Sequence, residues 1–288
     1  MIASMTGYAA LTGDLPQGAL QLEIKSVNSR FLDIQFRIGE ELRSLEPALR
    51  ELIAAQVTRG KVDCRLGFTP RLQAGASLAL DRDLLLRVAA LAREAQAAVP
   101  EAQPLRIGEL LHWPGVLAGN EVSLDALREP ALALARRGMD ELAATRQREG
   151  AKLGQMILER VDAMRGKVAV LVPLMPQIVA AYQEKLSLKL REVLATGDEE
   201  RIRQEVALYG VKIDIAEELS RLSTHLDEVQ RVIAKGGAAG KRLDFLMQEL
   251  NREANTLGSK SVAKELSETA IDLKLLIEQM REQIQNIE

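Results

Sequence analysis

From residue 123 to the end of the chain, apolar residues return at helical spacing with few interruptions, and this run constrains the fold more than any other feature. Residues 123–195 carry one almost continuous helical pattern. Pro173 and Pro176 fall inside it, yet the pattern resumes through Ile178, Tyr182, Leu186 and Leu190. The two prolines are therefore expected to kink the helix without ending it. Gly197-Asp198 is the next break, and residues 199–234 read as one long helix. Lys235-Gly236-Gly237-Ala238-Ala239-Gly240 has the composition of a helix C-cap and turn. Residues 241–257 and 260–286 supply the last helices. Aromatics are only 3% of the chain, while Leu, Ala, Glu and Arg abound, as a largely helical protein requires.

The N-terminal part is different. Leu20 to Val27 alternates apolar and polar, and Phe31 to Ile38 alternates again across an Asn28-Ser29-Arg30 turn. Residues 41–57 switch to helical spacing through Leu42, Leu45, Leu49, Leu52 and Ile53. Gly60 breaks that pattern, and Val62, Cys64, Leu66 and Phe68 resume a strand. Strand, strand, helix, strand is an α+β unit. Residues 81–98 form a further helix with Asp81 as N-cap, and Leu110 to Leu117 ends a short helix in a Pro-Gly turn. The expected architecture is α+β: a mixed strand and helix domain over 1–122, a long helical arm over 123–204, and a C-terminal helical domain over 205–288.

A formal charge of −3 excludes a strongly basic domain, so contact with nucleic acid would depend on local patches. The single cysteine, Cys64, excludes internal disulfides and all-cysteine zinc sites. The first 15 residues lack a signal-peptide pattern, and no apolar run matches the ~20 residues of a membrane span. A cytoplasmic protein with no membrane partner is expected.

Two helix faces carry more polarity than packing requires. In 241–260, Leu243, Leu246, Met247, Leu250, Ala254 and Leu257 form an apolar stripe. Asp244, Gln248, Asn251 and Asn255 form one polar stripe beside it, and Arg242, Glu249, Glu253, Thr256 and Lys260 form another. Asn and Thr are mediocre helix formers, so a plain solvated face would not favour them. Upstream, Asp214, Glu218, Arg221 and His225 fall at i, i+4, i+7 and i+11, with Glu217 at their edge. A helix hairpin would let this face meet Glu249 and Glu253. Carboxylates on facing helices hold divalent metals. Oxygen ligands favour Mg²⁺ or Mn²⁺, and an imidazole tilts the set toward Mn²⁺ or a softer ion. His225 also fits a general base. The same stripe equally fits an intrahelical ion-pair ladder. Basic turn residues Lys25, Arg30, Arg37, Arg59 and Lys61 suit phosphate contacts or simple solvation. No phosphate-loop, G-x-S-x-G or H-E-x-x-H pattern occurs.

Six stretches carry a resemblance: Ser4 to Tyr8, Ser26 to Leu32, Arg59 to Val62, Trp113 to Val116, Arg242 to Ser261, and Leu276 to Glu288. In order and over the full length, the chain resembles the bacterial YicC/YloC family. That resemblance implies a stress-associated, metal-dependent endoribonuclease acting on single-stranded regions of RNA, including small regulatory RNA. It also implies a hexamer with a central channel. Family motifs fall on Asp214, Glu217, Glu218, Arg221, His225, Arg242, Asp244, Gln248, Glu249, Asn251, Arg252, Glu253, Asn255, Ser259 and Lys260. On this reading, Mn²⁺ or Mg²⁺ is held among Asp214, Glu217, Glu218, Glu249 and Glu253. Glu249, Glu253, His225 and Arg252 serve catalysis. RNA meets Arg30, Arg59, Lys61, Arg221, Arg242, Asn251, Asn255 and Lys260. A non-catalytic RNA-binding adaptor and an oligomeric structural protein are the alternatives.

Overall fold

In a computed structural model that describes residues 2–71, 79–118, 124–193 and 199–288, the alternating segments of the N-terminal part form a four-stranded mixed sheet. Its strands are β1 (Gly7–Leu15), β2 (Gly18–Val27), β3 (Leu32–Ile38) and β4 (Gly60–Pro70), in the order β1-β2-β4-β3. Alternation puts Leu20, Leu22 and Ile24 of β2 inward and Gln21 and Lys25 outward. β4 is antiparallel to β2 and parallel to β3. The parallel crossover runs through a 3₁₀ turn (Glu40–Leu45) and helix α1 (Glu46–Gln56), whose Leu49 and Ile53 pack on the sheet. The sequence reading has no β1. The reason is local: Ala9 is its only buried residue, and two of its nine positions are Gly. A second difference concerns Phe31. The strand begins at Leu32, and Phe31 stands out of the sheet, 71% exposed.

A two-residue ribbon, β5 (Ala79–Leu80) with β6 (Leu117–Ala118), brackets α2 (Arg82–Ala98) and α3 (Ile107–Leu111). Asp81 caps α2 as expected, accepting from the Leu84 N–H at 2.9 Å.

Helix α4 (Leu124–Leu171) is 48 residues long, ~72 Å at 1.5 Å per residue. Its first half, through Leu127, Leu134, Ala135 and Leu142, packs under the sheet. Its second half, through Leu153, Ile157, Val161 and Met164, enters a separate C-terminal core. One helix thus ties two hydrophobic cores together. Two glycines of α4 permit close approach. A Cβ on Gly138 would stand 2.4 Å from Leu22 Cδ2, and one on Gly150 would stand 2.4 Å from the Ile2 carbonyl oxygen. After a 3₁₀ turn (Val172–Leu174) the helix resumes as α5 (Met175–Val193), so Pro173 and Pro176 interrupt without ending it. The Gly197-Asp198 break lies outside the described residues.

The single helix expected over 199–234 is two: α6 (Glu199–Lys212) and α7 (Ala216–Lys235). Apolar spacing runs through the join because Ile213 and Ile215 are both buried. What ends the helix is polar. Asp214 turns its carboxylate onto the Ala216 N–H at 3.0 Å, and Lys260 Nζ binds the Asp214 carbonyl at 2.7 Å. Gly236 and Gly237, at φ 70° and 79°, then reverse the chain into α8 (Gly240–Ser259), which is followed by α9 (Lys264–Ile284).

The two ends of the described chain are sewn together. Met5 N–H donates to the Asn286 carbonyl at 2.8 Å, and Glu288 N–H donates to the Ala3 carbonyl at 2.9 Å. Arg146 of α4, 5% exposed, donates to the Ser4 carbonyl at 2.7 Å and pairs with the Glu288 carboxylate. Thr58 donates to the same carboxylate. Burial pushes the Glu288 carboxyl up, but the Thr58 hydrogen bond and the Arg146 charge outweigh it and hold the group below its ordinary range.

The helical run Leu124–Glu192 contains an 18-residue window of mean hydropathy 1.3, 17% buried, so the expectation that no stretch would meet a membrane-span test needs correcting. Length and composition alone produce this result. Part of the run's apolar surface lines a groove of about 810 Å³, where Val172, Met175 and Val179 face Val211, Ile215 and Leu219.

Candidate functional site

Helices α7 and α8 form an antiparallel hairpin because only the short glycine turn joins them. At 100° per residue, one edge of α8 presents Arg242, Glu249, Glu253, Thr256 and Lys260 beside its apolar stripe. That edge faces α7, and a ladder of ionic groups runs along the seam. Arg242 Nη2 lies 3.3 Å from Glu228 Oε1, Arg221 Nη1 lies 3.9 Å from Glu253 Oε1, and Lys260 Nζ lies 2.8 Å from Glu218 Oε1.

The two ends of the ladder are closed ion pairs. At the glycine-turn end, Glu228 also takes both Arg231 Nε and Nη2, and its hydrogen bonds to Arg231 draw its carboxyl down to about 2. At the other end, Lys260 joins Glu218 to the Asp214 carbonyl. The second oxygen of Glu218 is buried and has no hydrogen-bond partner among the described residues.

The middle is not closed. A ring nitrogen of His225 and one carboxylate oxygen each from Glu249 and Glu253 lie within 4.8 Å of one another. Glu253 is 3% exposed, and its one ionic partner among the described residues is Arg221, 3.9 Å away. Glu249 meets Arg252 only at 4.0 Å. Two carboxylates converging on one imidazole, with cations at the margin of contact, make a poorly compensated cluster in a partly dry seam. A divalent cation would satisfy it, and the mixed oxygen and nitrogen donor set suits Mn²⁺ better than Mg²⁺.

The remaining expected metal ligands are engaged elsewhere in this structure. Asp214 accepts the Ala216 N–H at the start of α7, Glu217 pairs with Arg221 one turn on, and Glu218 takes Lys260. His225, expected as a catalytic group, stands among the candidate ligands. Arg252 is exposed beside Glu249.

The expected RNA-contact residues divide into three sets. Arg221, Arg242 and Lys260 belong to the hairpin ladder. Asn251 and Asn255 lie on the opposite edge of α8: Asn255 Nδ2 donates to Asn251 at 2.7 Å, and Asn251 Nδ2 reaches Glu278 of α9 at 3.5 Å. Gln248 is paired with Asp244 at 3.1 Å. Arg30 and Lys61 are exposed on the N-terminal body, whereas Arg59 is half-buried and spends a hydrogen bond on the Ile287 carbonyl at 2.7 Å. Cys64 plays no chemical part, since burial first and then the Asp63 charge push its thiol up to about 12.

Comparison with known proteins matches both halves of this arrangement. Residues 2–155 match the family model described as Endoribonuclease YicC-like, N-terminal region, and residues 172–288 match Endoribonuclease YicC-like, C-terminal. A Haemophilus influenzae protein named probable endoribonuclease YicC is 39% identical over 288 residues, covering all of both chains. A Clostridioides difficile protein of the same name is 30% identical over 293 residues, again covering all of both. The sheet body, the shared long helix and the ionic hairpin all lie within these matches, and the chain belongs to the YicC-like endoribonuclease family.

Proposed function

We propose that this protein is a cytoplasmic, metal-dependent endoribonuclease that cleaves single-stranded regions of RNA, small regulatory RNA among them. The observation that carries the reading is the convergence of His225, Glu249 and Glu253 within 4.8 Å, in a chain of an endoribonuclease family. A divalent ion held there would supply Lewis-acid stabilisation of a phosphodiester oxygen. The chain's own cations do the rest. Arg252 meets Glu249 only at the margin of contact and can turn toward a phosphate, and Arg221 can do the same by giving up its exposed Glu217 partner; each would offset the charge that develops there. Attack by the neighbouring 2′-hydroxyl and attack by water use the same groups, and the ends of the product distinguish them. A 2′,3′-cyclic phosphate means internal attack.

A homo-oligomer, a hexamer by family resemblance, supports this reading in two ways. The groove between α5–α6 and α7 leaves large apolar side chains uncovered, with Val211 77% exposed. A chain of net charge −3 also needs its basic residues gathered onto one surface to hold a polyanion, and symmetry achieves this by repetition.

The test is cleavage of a structured RNA with single-stranded loops by metal-stripped protein. Activity should vanish in EDTA and return with Mn²⁺ or Mg²⁺. Full cleavage by metal-free protein would exclude the metal, and absence of cleavage under every metal would leave an RNA-binding adaptor.

A further inference from the structure

Aromatics are scarce in this chain, with four Phe in 288 residues, yet two of the four face solvent. Phe31 is 71% exposed and Phe245 is 48% exposed, while Phe36 and Phe68 pack against the N-terminal core. Each exposed ring carries an arginine. Arg30 Cζ lies 5.3 Å from the Phe31 ring centre, and Arg242 Cζ lies 5.6 Å from that of Phe245. Neither ring contributes to a core. Phe31 sits outside the alternation that turns Leu32 and Ile34, both half-buried, toward the core, and Phe245 lies on the side of α8 away from Leu243, Leu246 and Leu250.

The two pairs are more than 200 residues apart in sequence, but the fold links them. The Phe31 carbonyl accepts the Gly60 N–H at 3.3 Å. The preceding residue, Arg59, places Nη2 3.0 Å from where a Cβ on Gly240 would stand. Gly240 opens α8, and Phe245 follows about 7.5 Å along its axis. Phe245 is one turn from Glu249, and Arg242 joins the Phe245 ring to Glu228 at the edge of the ionic seam. Lys61 and Lys241 are exposed along the same path.

We infer that Phe31 and Phe245 are stacking stations for unpaired bases, and that an RNA strand runs from the N-terminal body past Phe245 to the His225–Glu249–Glu253 cluster. This inference rests on the proposal that RNA is the substrate. Exposed rings with cations beside them suit a strand with free base faces, because paired bases keep their faces inside the helix stack. The arginines and lysines hold the backbone, and the rings select for single-strandedness. Phe245, next to Glu249, orients the nucleotide adjoining the bond to be cut.

The test compares Phe31→Leu, Phe245→Leu and Phe245→Trp with the wild type. Both Leu positions are exposed, so folding should be untouched. The probes are a single-stranded oligoribonucleotide carrying 2-aminopurine and a blunt RNA duplex of equal length. Each Leu change should weaken single-strand binding about tenfold and reduce 2-aminopurine quenching. Duplex binding, the salt slope and Mn²⁺ stabilisation should stay as in the wild type, since the cations and the carboxylates remain. Trp should restore quenching. Single-strand binding at the wild-type level in both Leu variants overturns the inference, as does an equal loss for strand and duplex. A changed sedimentation mass also overturns it and makes the rings assembly contacts. Wild-type protein that binds no RNA at all removes the proposed function, and this inference with it.

Discussion

Glu253→Gln separates the stability effect of a buried carboxylate from its use. Glu253 is 3% exposed, and its one ionic partner among the described residues, Arg221 Nη1, is 3.9 Å from Oε1. At an effective dielectric near 20, such a pair is worth about 4 kcal/mol before screening. Arg221 is half-exposed and shared with Glu217, so solvent removes much of that. Desolvation of the carboxylate costs several kcal/mol in the opposite direction. The two effects nearly cancel, and the amide keeps the shape of the acid. Metal-free Glu253→Gln should therefore unfold within about 1 kcal/mol of the wild type, or be more stable. A bound cation changes the comparison. Ligand at a hundredfold its Kd stabilises the binding state by about 2.7 kcal/mol. Urea unfolding should show this gain for the wild type in Mn²⁺ and less than about 0.5 kcal/mol for the variant. RNA cleavage by the same preparations should fall on the order of a hundredfold or more, about 3 kcal/mol in the transition state. A variant that loses 3 kcal/mol without metal would make Glu253 a structural ion-pair partner. An equal Mn²⁺ gain in both proteins would put the metal elsewhere. Either result refutes the reasoning.

Glu288→Gln should destabilise the protein by about 2 kcal/mol at neutral pH, because it leaves the buried Arg146 guanidinium without its counter-charge. The folded carboxyl is held below its unfolded value, so this contribution is complete above the unfolded pKa and is lost as pH falls through the folded one; the gap between wild type and variant should close on acidification, as chemical unfolding at several pH values would show. Gly150→Ala should lower stability by about 3 kcal/mol and raise amide exchange at the N-terminal segment, since the new Cβ would meet backbone atoms of Ile2 and Ala3 within 3 Å. Paired glutamate substitutions at Arg30 and Arg242 should weaken RNA binding and flatten its salt dependence, measured by isotherms at several salt concentrations; an unchanged slope would remove both from the RNA path. Sedimentation should report a mass several times that of one chain, and a monomer that still cleaves RNA would remove the oligomer from the proposal.

The two polar stripes of α8 were legible in the sequence because a helix maps position to face at a fixed angle, and the apolar stripe fixed the zero. The partner of one stripe was legible too, because a short glycine turn folds the 214–225 segment back onto Glu249 and Glu253. The partner of the other was not: α9 reaching Asn251 along the opposite edge is decided by tertiary packing alone. The same limit explains the missed break at Asp214. Ile213 and Ile215 continue an apolar pattern, and the helix stops because the Asp214 carboxylate takes a backbone N–H while Lys260, 46 residues on, holds its carbonyl. A donor that distant leaves no local mark. β1 was missed for a different reason: a strand built on Ala9 with two glycines has too little apolar contrast for alternation to register.

The stretches that carry the family resemblance divide by role once they are placed in space. Ser4 to Tyr8, Ser26 to Leu32, Arg59 to Val62 and Leu276 to Glu288 meet at one seam, where Asn28 Nδ2 donates to the Gln285 carbonyl at 2.7 Å and Arg59 Nη2 donates to the Ile287 carbonyl at 2.7 Å. That seam joins the sheet body to the helical hairpin without holding a metal-ligand cluster of its own among the described residues. Yet Arg30 and Phe31 project from it, and Arg59 abuts the start of α8. Fixing the angle between the two bodies fixes where the N-terminal ring stands relative to Phe245 and to the His225 cluster. A change at the seam that leaves every carboxylate and every cation intact should therefore still alter single-strand binding, because a strand held at two separated points responds to the distance between them.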